Sequence, residues 1–524
     1  MSEKSFFKGV AIVFAVVAFC GVAVNVIAGK KLRSALAGLP GARVEFKKAS
    51  VSLIGGNVEL RDVDFALTDS TGVTPDVKGH VKALRLERIR WFRLLKGEAD
   101  AGRLLIREPD VRLVLQGGKA PEKKDTVSAR KSFLKRVSLG ELRIEKGAVG
   151  LRSLKDSTRV SAQGIGLSVR EMGLALPEGA FSYNDSLYSI ALDSLDYVDA
   201  QALSRILVGH LETADAGPVK ARAMHLYSCV EQEELALRLG KVSAMWYDVL
   251  LDSLYVSPLN IPRLVSSRQV AVDSIGLRGT RAVILQDDRY APAVPYDTFQ
   301  ESLNAVSWPL KIGKLDARLQ DFTFLWEVTH KNRGAFPMKN VALAVNSVSN
   351  AEDNVMELRL SSGQKGHSRM DMKLFVRNDK AESTQGVMHI YNLDASHLDG
   401  FLRPLFGATA QARIHQIECI FKGNKHTMKE DFCMAYENLA VKAWKDEYAP
   451  YRLVAKNSGA LTFMANLVLP KANPLSSGRE PKRVAVEFKR DPMLPYPSYL
   501  IQNITMGALR TVLPGGRIHK IHQK

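Results

Sequence analysis

The residues able to carry chemistry are few, and they do not converge. His519 and His522 stand three apart in a basic tail, and two imidazoles fall short of the three or four protein ligands that a zinc site takes. Asp62 and Asp64 sit two apart, so as strand residues both carboxylates share one solvated face instead of flanking a substrate. Gly164-Ile165-Gly166 is a turn signal, not a phosphate cradle. The sequence contains no GxSxG elbow, Walker loop, HExxH pair or dinucleotide GxGxxG after a strand. His397 and His415 read as surface or packed side chains. No catalytic residue, metal ligand or cofactor is therefore expected, and the chain is not expected to be an enzyme.

Of the four cysteines, Cys20 falls in an apolar N-terminal run and leaves no disulfide framework. Cys419 and Cys433 flank the polar stretch 423–428 almost symmetrically, so a hairpin turning there would set them across two strands. Both a disulfide and a pair of buried free thiols fit that spacing.

Without a reactive site, the elements themselves carry the functional signal. Residues 9–29 form a 21-residue apolar run with Asn25 as its one strongly polar side chain, long enough to cross roughly 30 Å of hydrocarbon as a helix. Val10, Ile12, Phe14, Val17, Phe19, Val22, Val24 and Ile27 would face lipid in such an anchor. The run exceeds the roughly 7–15 residues of a signal-peptide core, which favours a retained anchor over a cleaved leader. Lys4 and Lys8 precede it, whereas Lys30, Lys31 and Arg33 follow it, so charge counting alone mildly favours a cytoplasmic body. Residues 1–8 are short enough to be only a cytoplasmic tail.

Behind the anchor, short segments alternate apolar and polar residues, as at Val58 and Leu60, Ile165, Leu167 and Val169, or Met356, Leu358 and Leu360. That period of two predicts half-buried strands in a mainly β, mainly antiparallel fold. Four segments share apolar residues at offsets 0, 2, 7 and 9: Leu104, Ile106, Val111 and Leu113; Leu142, Ile144, Val149 and Leu151; Ile275, Leu277, Ala282 and Ile284; Leu315, Ala317, Phe322 and Phe324. Neighbouring copies lie 38 or 40 residues apart. Each reads as a hairpin around a four-residue turn, stacking on its neighbour to share an apolar interior; offsets this loose also arise in unrelated β-proteins. Residues 117–132 read as an exposed charged loop. Leu398, Phe401, Leu402 and Leu405 space out a short amphipathic helix within 394–406, and a second is expected after Pro497, capped by Ser498 and stopped by Pro514-Gly515.

The composition is ordinary for a folded chain, at 46% hydrophobic and 24% charged over 524 residues, while the net charge of +18 is high. Lys and Arg are scattered, with no zinc-finger spacing or basic recognition helix, so an anionic membrane surface suits the charge better than nucleic acid.

The order of these segments resembles the AsmA-like family of Gram-negative envelope proteins, relatives of the TamB-type bridge-like lipid transfer proteins. The resemblance rests on the anchor with its basic flank, on Val51-Ser52-Leu53-Ile54-Gly55-Gly56-Asn57-Val58-Glu59-Leu60-Arg61-Asp62-Val63, and on Leu393-Asp394-Ala395-Ser396-His397-Leu398-Asp399-Gly400-Phe401-Leu402-Arg403-Pro404-Leu405. It continues in the strands 417–421 and 432–441 and in Ala465-Asn466-Leu467-Val468-Leu469-Pro470. The chain departs from the family where Pro495 and Pro497 interrupt the start of the last helix.

The resemblance implies an inner-membrane, single-pass protein whose periplasmic body is an elongated, curled antiparallel β-sheet, open along one side as an apolar groove. The repeat residues named above, except Ala282, Ile284 and Ala317, would line that groove. Residues 30–393 would form the groove body, 394–493 a C-terminal β-section, and 494–524 an amphipathic helix with a basic tail. The implied partners are phospholipid and membrane, with no nucleic acid. The implied activity is phospholipid transfer toward the outer membrane or support of outer-membrane assembly; a scaffold with a closed β-core is the alternative.

Overall fold

A computed structural model describes residues 42–52, 54–67, 76–94, 98–115, 136–154, 156–175, 180–182, 188–215, 217–258, 269–290, 292, 294–329, 332–363, 368–443, 469–474, 478–493 and 496–512. The anchor run 9–29, the charged stretch 117–132 and the tail from 513 lie outside these residues. Among the described residues, no helix is long and apolar enough to cross a membrane. The described residues are mainly β, with five short helices. The chain divides into two compact units, Met1–Met224 and His225–Lys524.

The first unit is a meander followed by a parallel step. Strands β1 (Ala42–Ser52), β2 (Asn57–Leu67), β3 (Asp76–Glu87) and β4 (Glu98–Leu115) pair antiparallel in succession, with helix α1 (Trp91–Leu94) between β3 and β4. Strand β5 (Arg136–Ser153) then runs parallel to β4. Strand β6 (Arg159–Ala175) returns antiparallel and pairs with the short strands β7 (Ala180–Ser182), β8 (Tyr188–Leu192) and β9 (Ser194–Val198). Strand β10 (Ser204–Thr213) pairs with β8 and β9.

Strand β11 (Val219–Ser228) spans the boundary between the units, and helix α2 (Leu235–Arg238) follows. In the second unit, β12 (Ala244–Val256) pairs antiparallel with β13 (Val270–Asp287), and β14 (Leu310–Thr329) runs parallel to β13. Helix α3 (Phe299–Asn304) lies in the connection between them. Its N-terminus is fixed by a capping box between Thr298 and Glu301. An antiparallel series follows: β15 (Asn332–Ser349), β16 (Val355–Gly363), β17 (Arg369–Arg377), β18 (Thr384–Asp394), β19 (Ala408–Gly423), β20 (Thr427–Ala443) and β21 (Arg483–Lys489). Helix α4 (Asp399–Phe406) separates β18 from β19, and α5 (Tyr496–Val512) closes the described chain.

The four repeat copies are β4, β5, β13 and β14, and they correct the hairpin reading. Each is one continuous strand of 18 to 20 residues. What replaces the expected turn in the first two copies is a single residue in the left-handed region, Glu108 (φ 47°) in β4 and Lys146 (φ 53°) in β5. Side chains alternate strictly along a regular strand, so Ile106 and Val111, an odd number apart, would point to opposite faces. One left-handed residue between them resets the alternation and bends the strand. Asp62 (φ 51°) does the same in β2, and Asn340 (φ 51°) in β15.

The two sequence-expected helices are present. The first appears as a 3-10 turn, Ala395–Leu398, running into α4. The second begins at Tyr496, so Ser498 lies in its first turn and is not its cap, and Pro497 occupies a position where a missing N–H costs little. Helix α5 docks on the sheet of its own unit: Tyr499 is buried there, and Ile504, Ala508 and Val512 pack against the core that includes Phe432, Met434 and Tyr436.

Candidate functional site

The strand registers assemble the repeat residues into rows that cross the first unit at right angles to the chain. One row runs Val58, Leu86, Leu104, Leu142 and Val169 from β2 to β6; a second runs Leu60, Leu84, Ile106, Ile144 and Leu167 and continues to Ile190 in β8. Past the bend, Val111, Val149 and Ala162 form a third row and Leu113, Leu151 and Val160 a fourth. Gly79 stands in the third row beside Val111, and a Cβ there would lie 2.4 Å from the Phe65 ring, so the phenyl group fills the place of the missing side chain.

Burial is uneven along these rows. Val58, Leu60, Leu84, Leu86 and Leu104 are buried, with Leu104 only 1% exposed. Ile106, Val111, Leu113, Leu142, Ile144, Val149 and Leu151 are each half-buried. The first row is thus buried from Val58 to Leu104 and half-buried at Leu142 and Val169, whereas past Leu104 the repeat residues of β4 and β5 are half-buried alike.

The opposite face carries a ladder of ion pairs across the same strands. Arg85 contacts Glu59 at 3.1 Å, Arg103 contacts Glu87 at 3.7 Å and Glu141 at 2.7 Å, and Arg107 contacts Glu145 at 3.3 Å. Burial pushes the Glu141 carboxyl up, but hydrogen bonds from Arg103 and Ser168 more than offset this and hold it below its ordinary value. Because β4 and β5 are parallel and in register, Arg103 stands directly beside Glu141.

The second unit repeats the row pattern and covers more of it. Ile275, Leu315, Val345, Leu358 and Leu374 align from β13 to β17; Leu277, Ala317, Leu343, Leu360, Met372, Met388, Cys419, Phe432 and Val484 align across nine strands to β21. Ile275, Leu277, Leu315, Phe322 and Phe324 are half-buried. Leu303 of α3 packs in the cluster that holds Leu315. Phe401 and Leu402 of α4 pack with Phe324, Phe336 and Trp326, with ring centroids of Trp326 and Phe401 6.2 Å apart.

One row is broken by a carboxylate. Glu430 of β20 stands between Phe421 and Val486 on the apolar face, 2% exposed, under the core that α5 completes. Its two oxygens find no nitrogen or oxygen donor, and Asn503 Oδ1 of α5 is likewise buried without one. Burial pushes Glu430 up to about 7, against a smaller opposing effect of the Cys419 thiol.

Of the two cysteine readings, the structure shows the free thiols and not the disulfide. Cys419 pairs in register with Phe432, and Cys433 with Glu418, so the two cysteines occupy adjacent positions whose side chains leave opposite faces of the sheet. Both are free thiols, Cys419 buried and Cys433 half-buried.

A depression of about 430 Å³ lies on β14 to β18, lined mainly by the charged face. Its cations already have partners: Arg318 with Asp316 at 3.5 Å, and Arg359 and Lys373 with Glu357 at 2.7 and 3.1 Å. Among the described residues, no group of three or more His, Cys, Asp or Glu is placed to hold a metal. Sequence reasoning missed Glu430 and the helical covers over Leu315 and Phe324. The signal for the strand bends was there, in the odd spacing of the repeat with Glu108 or Lys146 inside it.

No family model matches the chain, and no curated protein matches it significantly.

Proposed function

We propose that this protein is a membrane-anchored envelope protein that holds phospholipid tails on the apolar face of its strands, moving lipid toward the outer membrane or supporting outer-membrane assembly. The reading takes its biological setting from the resemblance to AsmA-like proteins. The observation that carries it is the set of continuous apolar rows in the first unit, in which Ile106, Val111, Leu113, Leu142, Ile144, Val149 and Leu151 are only half-buried. Lifting two acyl tails into water costs on the order of 20 kcal/mol at roughly 0.8 kcal/mol per methylene, and an apolar surface of this kind offsets most of it. Solvation is then the whole of the chemistry, which fits the dispersed histidines and paired carboxylates.

The test is photo-crosslinking in intact cells. A crosslinking residue in place of Leu142 captures phospholipid, whereas one in place of Arg143, on the charged face, does not. Equal capture at both positions refutes the reading. Protease cleavage of the body only after outer-membrane permeabilisation supports the periplasmic placement, and cleavage only after inner-membrane lysis rules it out.

A second reading, a scaffold with a closed β-core, draws support from the second unit, where α3, α4 and α5 pack on the apolar face. It expects no lipid at either Leu142 or Phe322.

A further inference from the structure

We infer that the corner formed by the β1–β2 turn and α1 is a membrane-contact tip that inserts into an anionic bilayer surface. Ile54, in the turn, is fully exposed, and Phe92 of α1 is 86% exposed. The two belong to one corner. The Ile89 amide donates to the Gly56 carbonyl at 2.8 Å, and the Arg88 amide donates to Asn57 Oδ1 at 3.2 Å, tying the turn to the segment that leads into α1. Gly56 has φ +62°, and a Cβ there would meet the Ile89 backbone at 2.8 to 2.9 Å, so the contact requires glycine.

The corner is held rigidly from below. Trp91 packs against the core of the first unit, while its neighbour Phe92 points away from it. Arg90 and Arg93 share Asp100 at 3.3 and 2.8 Å and remain 63% and 52% exposed at their side chains. With Arg88, three arginines fall within six residues here, and Arg90 and Arg93 share the single carboxylate of Asp100. Two protruding apolar side chains on a corner whose 88–93 segment carries three exposed arginines suit insertion among acyl chains beneath anionic headgroups. A protein partner would instead call for a broad, continuous apolar patch.

This inference does not depend on lipid uptake by the apolar face: crosslinking at Leu142 can fail while the tip still inserts. The experiment uses full-length protein reconstituted into vesicles of phosphatidylcholine with phosphatidylglycerol, with or without bromine on the acyl chains. The variant F92W gains an emission component that brominated lipid quenches, and I54W behaves alike. A control at an exposed position of the second unit, V355W, shows no such loss. Replacing Arg88, Arg90 and Arg93 with glutamate, or omitting phosphatidylglycerol, abolishes the F92W quenching. The inference is overturned if F92W is quenched no more than V355W, if quenching survives both charge reversal and neutral lipid, or if the F92W emission shifts with protein concentration in lipid-free detergent, which would identify a second copy of the chain as the partner.

Discussion

Glu430 makes the docking of α5 depend on pH, and the sign follows from its burial. A carboxyl raised from its ordinary 4.5 to about 7 in the fold is held protonated there. Its contribution is fully present below pH about 4.5 and is lost as pH rises through about 7, the reverse of a salt-bridged carboxylate. The whole effect amounts to about 3 kcal/mol. Between pH about 5.5 and about 8 the change is about 2 kcal/mol, or about thirtyfold in an opening equilibrium. Cys419, fully buried on the same face of the sheet, reports that opening. The assay is the maleimide labelling rate of Cys419, resolved by peptide mass spectrometry, in the wild type and in Glu430→Gln. Glutamine keeps the shape of the protonated acid and cannot ionise, so the ratio of the two rates removes the intrinsic pH dependence of the thiol. That ratio rises about thirtyfold over the interval if the reasoning holds. A flat ratio would show either that Glu430 ionises without cost or that α5 does not gate Cys419, and the account of this core would be wrong.

Two further predictions concern packing. A Cβ on Gly507 would lie 2.4 Å from the Phe432 ring, so Gly507→Ala gains about 1 kcal/mol of helix propensity but costs about 1–3 kcal/mol of overpacking; faster Cys419 labelling is expected, and Phe432→Leu in the same chain should reverse it. Leu104→Ala should destabilise β4 by about 2–5 kcal/mol, whereas Leu142→Ala, half-buried in the same row, should cost about 1 kcal/mol. Hydrogen exchange of the β4 and β5 amides measures both, and equal losses would show that β5 is as enclosed as β4.

The alternation at Val58 and Leu60 or at Leu358 and Leu360 made the β-fold legible because a half-buried strand writes its two faces directly into the sequence. The copies at Leu104, Leu142, Ile275 and Leu315 were equally legible as repeats. Their conformation was not, because an interruption of four polar residues suits a turn as well as a bend. The odd spacing carried the bend, but Glu108 and Lys146 belong to residue types that seldom adopt positive φ, so residue type did not tell the bend from a turn. The spacing of Cys419 and Cys433 left disulfide and free thiols both open for a similar reason: the hairpin was anticipated, but a register displaced by one position sends a side chain through to the other face. Glu430 could not be found from spacing at all. Glutamate in a strand is ordinarily solvated, and only the arrival of α5, more than sixty residues later in the chain, makes it a buried acid.

The two parallel steps, β4 to β5 and β13 to β14, also set the order in which the sheet comes together. An antiparallel neighbour is delivered by its own turn, but a parallel one must wait for a long excursion of chain, here 38 or 40 residues between paired positions. The meander β1 to β4 and the series β14 to β20 therefore assemble from local contacts, and the parallel junctions zip afterwards as seams. Until a seam closes, β4 and β13 are free edges, each 18 residues long and able to recruit the corresponding strand of another molecule. Because the copies are alike, a nascent chain could join the wrong pair in good register. The repetition that builds a continuous face also makes misassembly between molecules the characteristic hazard of folding this protein.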